Sequence, residues 1–293
     1  MRRFQSAVLF CLLPAILSCT RGNLSDQKIR VMTFNIRLNT ASDSLNAWPL
    51  RKDMAASMIR FHRADIAGLQ EALHEQVLDL AARLPEYSWF GIGRDDGMEA
   101  GEYMAVFFLK DRLEAVRHST FWLSENPDIP GKGWDAACNR VVTWGEFRDR
   151  KTGSRFFHFN THFDHMGETA RLESAKLLLE KMKRIAGDSD AVVTGDFNST
   201  PDSAPYEILT SGPEGTNGLR LRDAKSVSLH PHHGPTGTFT AFKLPDSRVK
   251  GSPIDFIFVS GGIHVFNHGT LSDSFDGSLP SDHFPVLAEI ALD

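Results

Sequence analysis

Six short runs in this 293-residue sequence place an acid, an amide or an imidazole at the end of an apolar segment. They are Thr33-Phe34-Asn35-Ile36, Leu69-Gln70-Glu71, the run from Asn160 to His165, Val193-Thr194-Gly195-Asp196-Phe197-Asn198, Ile254-Asp255-Phe256 and Ser281-Asp282-His283-Phe284. Strand alternation puts Val31, Thr33 and Asn35 on one face and Met32, Phe34 and Ile36 on the other. By the same rule Asn160, His162 and Asp164 share a face, Phe157, Phe159 and Phe163 turn to the core, and Asp196 pairs with Asn198. Any one run alone reads as turn or capping chemistry. Together, two histidines, four acids and two asparagines form the set that a hard-cation hydrolase needs. Mg²⁺ takes oxygen ligands and leaves positions open for water and phosphate. Imidazole and carboxylate then position water and hold developing charge.

Such side chains must be presented by strands and braced by helices. Strand patterns are expected over 29–36, 65–69, 103–110, 141–148, 155–162, 191–194, 254–259, 263–271 and 286–291. Helical spacing covers 49–61, 73–84, 168–186 and a short segment at 206–209. Strands in both halves with helices between them predict an α/β (α+β) fold of two packed mixed sheets with helices outside. No internal repeat or long linker divides residues 28–293, so one domain is expected.

Lys+Arg total 32 against Asp+Glu 37, a formal net charge of −5, with 41% apolar residues. That composition is globular. The acidic balance excludes a protein that coats polynucleotides by phosphate neutralisation. Residues 1–18 read as a lipoprotein-type signal: Arg2 and Arg3, then an apolar run from Ala7 to Leu17, then Ser18-Cys19. The run is too short to span a bilayer. Cleavage there would leave Cys19 as a lipidated first residue on a polar tether, 19–27, and make the chain more acidic. Cys11 would leave with the signal, so only Cys138 would remain and no internal disulfide is expected. The expected location is the bacterial cell envelope or the exterior.

The motifs TFNIR, QE, GEYMAVFF, NTHFDH, GDFN, IDFIFVS and SDHFP, in that order across residues 28–293, resemble the endonuclease/exonuclease/phosphatase superfamily. That group contains pancreatic deoxyribonuclease, abasic-site endonucleases, neutral sphingomyelinases and inositol polyphosphate 5-phosphatases. The resemblance implies a four-layer sandwich, an Mg²⁺ or Mn²⁺ cofactor and in-line attack of water on a phosphate ester. It also implies that Asn35, Glu71 and Asp282 hold the metal. Asp196 would activate water, Asn198 would hold water or a phosphate oxygen, and His162 and His283 would bracket the phosphate. Glu102 would pair with His162 and Asp255 with His283, favouring cationic imidazoles.

The stretch Gly195 to Ser203, with Tyr206-Glu207 and Thr238-Phe239-Thr240, is similar to the nocturnin and deadenylase branch. Phosphodiester cleavage is the leading expectation. A phosphomonoesterase, a sphingomyelinase-like enzyme and a catalytically dead binding lipoprotein are the alternatives. The segment from Phe121 to Arg140 reads as a long aromatic rim in which Trp134 either stacks on substrate or, with Trp122, pins the loop down, and in which Arg140, with Arg94, is a candidate contact for phosphate. Asp95-Asp96-Gly97 is a turn signal. His230, His232 and His233 read as solvated loop residues, and Lys181, Lys183 and Arg184 as the wet face of their helix. His162 and His165 are expected on opposite faces, in separate jobs. A monomer is expected.

Overall fold

A computed structural model describes residues 27–212, 219–243 and 251–292. The signal, Cys19 and most of the tether lie outside the described residues. Twelve strands form two six-stranded mixed sheets. The first has the order β11-β12-β1-β2-β4-β3, from β1 (Ile29–Asn35), β2 (Ile66–Gln70), β3 (Tyr87–Phe90), β4 (Val106–Leu109), β11 (His264–Thr270) and β12 (Val286–Ala291). The second has the order β5-β6-β7-β8-β10-β9, from β5 (Leu113–Trp122), β6 (Val141–Asp149), β7 (Arg155–His162), β8 (Ala191–Asp196), β9 (Arg222–Asp223) and β10 (Asp255–Val259). Helices α1 (Trp48–Phe61) and α2 (His74–Arg83) cover the first sheet, and α3 (Glu168–Ala186) and α4 (Ala204–Ser211) cover the second. A single turn, α5 (Ala224–Val227), packs near β10 and β11. This is the four-layer sandwich expected from the sequence.

The layers follow from alternation. Met32, Phe34 and Ile36 face the cluster under α1 and α2, whereas Val31 faces the inter-sheet core with Ile66, Val192 and Ile257. Helix α1 begins Trp48-Pro49, where proline's missing N–H costs nothing. Helix α3 buries Ala175, Leu178, Leu179 and Met182 along one stripe. Lys181 departs from the wet face predicted for it. It is buried, and its ammonium lies 5.6 Å from the Phe121 ring centroid, because its stem runs over the aromatic end of β5.

The space between the sheets changes character along the strands. At one end it is aliphatic. One step up, Thr33, Gly68, Asn160 and Thr194 meet across the interface, and one step further lie Asn35, Gln70, His162, Asp196 and Asp255. Asn160 locks the middle layer. Its Nδ2 donates to the Leu69 and Ala105 carbonyls at 2.8 and 3.1 Å, and its Oδ1 accepts from Gln70 Nε2 at 2.7 Å and Thr194 Oγ1 at 3.1 Å. Gly68 permits that approach, since a Cβ there would stand 2.5 Å from Asn160 Oδ1. A satisfied polar layer of this kind fixes the register of the two sheets directly below the site.

His158 lies one step below, in register with Val192, and its Nε2 is 2.9 Å from Thr194 Oγ1. Burial lowers its pKa from 6.5 to about 3. Below pH 6.5 the unfolded chain therefore takes up a proton that the folded chain refuses. Unfolding free energy should fall by about 1.4 kcal/mol per pH unit from this group as pH drops from 6.5 toward 3. His158→Gln should flatten the decline of Tm between pH 6 and 4. Parallel curves for the two proteins would refute the assignment.

Candidate active site

The carboxyl ends of β1, β2, β7 and β8 converge because β1 pairs parallel with β2 and β7 parallel with β8. Asp255, at the start of antiparallel β10, faces Asp196 in register. A cleft of about 430 Å³ opens above them, and its walls include Glu71, Arg94, Glu102, Arg140, His162, Asp196, Asn198, Asp282 and His283. Nine of the twelve sequence-predicted site residues thus line one cleft. Asn35 and Asp255 sit immediately beneath it. Trp134 does not line it: this half-buried residue has φ of 51° and its backbone N–H donates to the Glu125 carboxylate at 3.2 Å.

Asn35 acts as a bracket for carboxylates. Its Nδ2 donates to Glu71 Oε1 at 2.9 Å and to Asp196 Oδ2 at 3.1 Å, while its Oδ1 accepts from the Arg37 N–H at 3.0 Å. Glu71 and Asn198 hold positive φ, 61° and 45°. Left-handed backbone at non-glycine residues is costly, and here it turns both side chains into the cleft at the points where β2 and β8 have ended.

The two histidines are in opposite states. His283 Nδ1 lies 2.8 Å from Asp255 Oδ2 and its Nε2 lies 3.8 Å from Asp196. Burial opposes its charge, but Asp255, joined by Asp196 and Asp282, outweighs burial and the pKa rises to about 10. This is the cationic imidazole expected. His162 departs from expectation. Burial first, and then the charges of Arg140 and Arg94, hold its pKa well below 6.5. Glu102 stands 3.9 Å from His162 Nδ1, which has no hydrogen-bond partner, because the carboxylate is drawn to Arg94 Nη1 at 2.5 Å. Neutral His162 Nε2 lies 3.0 Å from Asn198 Nδ2. Burial and the nearby charge of Asp255 raise Asp196 to about 7, and burial raises Asp282 as well.

The donor set fits a hard divalent cation. Ligand atoms of Glu71, Asp196 and His283 lie within 4.8 Å of one another, and Asp282 adds a carboxylate at the same rim. With His283 held as an imidazolium, the remaining donors are oxygens, which suits Mg²⁺ or Mn²⁺.

Several contributors escaped the sequence reading. Arg37 lies 3.8 Å from both Glu71 and Asp282. Its place inside TFNIR was the available signal. Phe239 is 54% exposed at the cleft mouth, with its ring 5.0 Å from that of His283. His165 borders the same cleft as His162, contrary to the opposite-face expectation, because β7 has ended at His162. It sits 3.0 Å from Arg140 Nη2. Trp122 pins the wall by donating to the Arg94 carbonyl at 2.7 Å, and Phe121 and Trp122 end β5 rather than opening a loop. Asp96 makes the predicted turn, accepting from Met98 and Ala100 N–H groups. His230 and His233 are exposed, but His232 packs on His268, their Nδ1 atoms 2.9 Å apart.

The model of the endonuclease/exonuclease/phosphatase family matches residues 32–283. The chain belongs to this family. Its members are metal-dependent hydrolases of phosphate esters. A solved endonuclease/exonuclease/phosphatase from Bacteroides vulgatus is 44% identical, with a TM-score of 0.85 over 91% of this chain and 99% of that one. A mannosyl-6-phosphatase from Bacteroides thetaiotaomicron is 38% identical, with a TM-score of 0.83 over 90% of this chain and 100% of that one. Nocturnin of Drosophila melanogaster is 23% identical over 94% of this chain, which spans 46% of that protein's length.

Proposed function

We propose that this family member is a divalent-metal-dependent phosphomonoesterase acting on a compact sugar phosphate. The observation that carries the reading is the pair Arg94 and Arg140. Both are buried at the wall beside His162, and each keeps a guanidinium nitrogen without a hydrogen-bond partner among the described residues, Nε of Arg94 and Nη1 of Arg140. Buried guanidinium N–H groups without partners are costly and await an anion. A terminal phosphate offers three oxygens and two charges, whereas a diester offers two oxygens and one. Arg94 pairs with Glu102 and Arg140 with Asp164, so the arginines offer N–H donors to the dianion while the His283 imidazolium and a cation would add charge. The similarity to a mannosyl-6-phosphatase points the same way.

In this reading Glu71 and Asp282 hold the metal, with Asn35 fixing Glu71. The cation would neutralise charge on a phosphoryl oxygen. Asp196, raised toward neutrality, orients the attacking water and accepts its proton. The new P–O bond forms as the bond to the sugar oxygen breaks, that oxygen takes a proton from solvent water and leaves as the alcohol, and His283 holds charge on the phosphoryl group. Asn198 and neutral His162 bracket the phosphate from the side of Arg140. Exported, lipid-anchored, monomeric protein remains our proposal for the cellular context, on the strength of Ser18-Cys19 and its flanks.

Phosphodiester cleavage is the second reading, favoured by exposed Phe239, a ring on which a base could stack at the mouth. Turnover of p-nitrophenyl phosphate and bis-p-nitrophenyl phosphate separates the two. The monoester should be the better substrate, and Arg94→Lys or Arg140→Lys should raise its KM about tenfold, because lysine keeps the charge and loses the fork. The diester should change by less than about threefold. Equal losses on both substrates would remove the argument for a dianion site.

A further inference from the structure

A second cavity, about 560 Å³, adjoins the catalytic cleft, and Asn198 lines both. Its floor and walls include Arg171 and Leu172 from α3, Ser199 and Thr200 from the segment after β8, and Ser203 at the head of α4. Ser199 is 6% exposed and its buried Oγ has no hydrogen-bond partner. Arg171 is held in place by a 3.0 Å bond from Nη1 to the Asp164 carbonyl. The lining thus combines hydroxyls, an amide, a guanidinium and the Glu168 carboxylate with the apolar surfaces of Leu172, Ala204 and Pro205. Nothing in the hydrolytic chemistry requires this cavity.

We infer that this cavity is a subsite for the polyhydroxylated leaving group of the substrate, seating a sugar ring while its phosphate lies beside Asn198. The chemistry follows from the lining. A pyranose presents several hydroxyls that both donate and accept, and one C–H face that packs on an aliphatic surface. Thr200 and Ser203 donate to Asp202 and to the Thr200 carbonyl and so offer acceptors, the Ser199 hydroxyl can donate or accept, Arg171 supplies donors, and Leu172 supplies the apolar contact. Asn198 is the hinge between the two spaces: its Nδ2 bonds to the Phe163 carbonyl and lies against His162. A group leaving past His162 and Asn198 enters this cavity. The inference rests on the phosphomonoesterase reading and deepens it by locating selectivity for the sugar.

Two variants test it, Leu172→Trp, which fills the cavity, and Ser199→Ala, which removes the unpartnered hydroxyl. With hexose 6-phosphates, Leu172→Trp should lose at least about tenfold in kcat/KM, and Ser199→Ala should raise KM about threefold or more with kcat held. With p-nitrophenyl phosphate, whose flat leaving group needs no hydroxyl partners, both should stay within about twofold of the parent. Equal loss on both substrates, or no loss on either, overturns the subsite and leaves the phosphomonoesterase reading standing. Failure of the parent protein to turn over any monoester overturns that reading instead. In that event inhibition of bis-p-nitrophenyl phosphate cleavage by a hexose 6-phosphate carries the test. Relief of inhibition in Leu172→Trp supports the subsite, and unchanged inhibition overturns it.

Discussion

Asp196→Asn is expected to lower kcat on p-nitrophenyl phosphate by about 10³-fold or more while leaving the metal-free protein at least as stable as the parent at pH 8. The two halves of this result come from one cause. Asp196 is buried between the sheets and faces Asp255 in register, so burial and a like charge push its pKa up to about 7. That makes it a stronger base for the attacking water. It also makes the ionised form a cost to folding. An acid with a folded pKa above its unfolded value loses stability as pH rises from about 4 to about 7, because the unfolded chain releases the proton first. Asparagine keeps the shape and can still accept from the Asn198 N–H, 2.9 Å from Asp196 Oδ1, but carries no charge; the lost bond from Asn35 Nδ2 to Oδ2 offsets part of that gain. The parent should gain Tm on addition of Mg²⁺ or Mn²⁺, and the variant should gain less. Retention of more than a tenth of parental kcat would show that Asp196 is not the base.

The layering explains why so much of this site was readable in the sequence. Alternation assigns faces without any tertiary information. The apolar-to-polar gradient along β1, from Val31 through Thr33 to Asn35, therefore already places Asn35 at the catalytic rim. The same holds for β8, from Val192 through Thr194 to Asp196. Elements lacking that gradient were harder. Strand β5 carries exposed Arg117 and His118 at an edge and a register shift between Ala115 and Arg117, so its alternation is blurred. Partner choice was harder still. Glu102 has two cations and an imidazole within reach, and its preference for Arg94 over His162 depends on a loop geometry that periodicity does not encode. Trp134 illustrates the same limit, since aromatic character says nothing about which way a loop residue turns.

His283 owes its charge first to Asp255, with Asp196 and Asp282 adding to it, and that dependence gives the second large effect. His283→Ala should cost about 10³-fold or more in kcat, because an imidazolium fixed beside Asp196 disappears from the point where phosphoryl charge develops. Asp255→Asn is the more discriminating variant. Asp255 does not line the catalytic cleft; it touches His283 Nδ1 at 2.8 Å and acts through that ring. With the carboxylate removed, burial is the dominant influence left on His283, and burial lowers the pKa of an imidazole. His283 would then lose its proton at a lower pH than in the parent. The parent should keep the alkaline limb of its kcat profile near pH 10, and the variant should lose activity at lower pH and recover it on acidification. The folding consequence has the same sign. A histidine raised to about 10 contributes stability that is complete below pH 6.5 and lost as pH climbs through 10, so Asp255→Asn should destabilise most below pH 6.5. A purely structural Asp255 would lower kcat by the same factor at every pH. Parallel pH profiles would therefore refute the electrostatic role; removal of Asp255 also lowers Asp196, which moves the acidic limb and leaves the alkaline limb to His283.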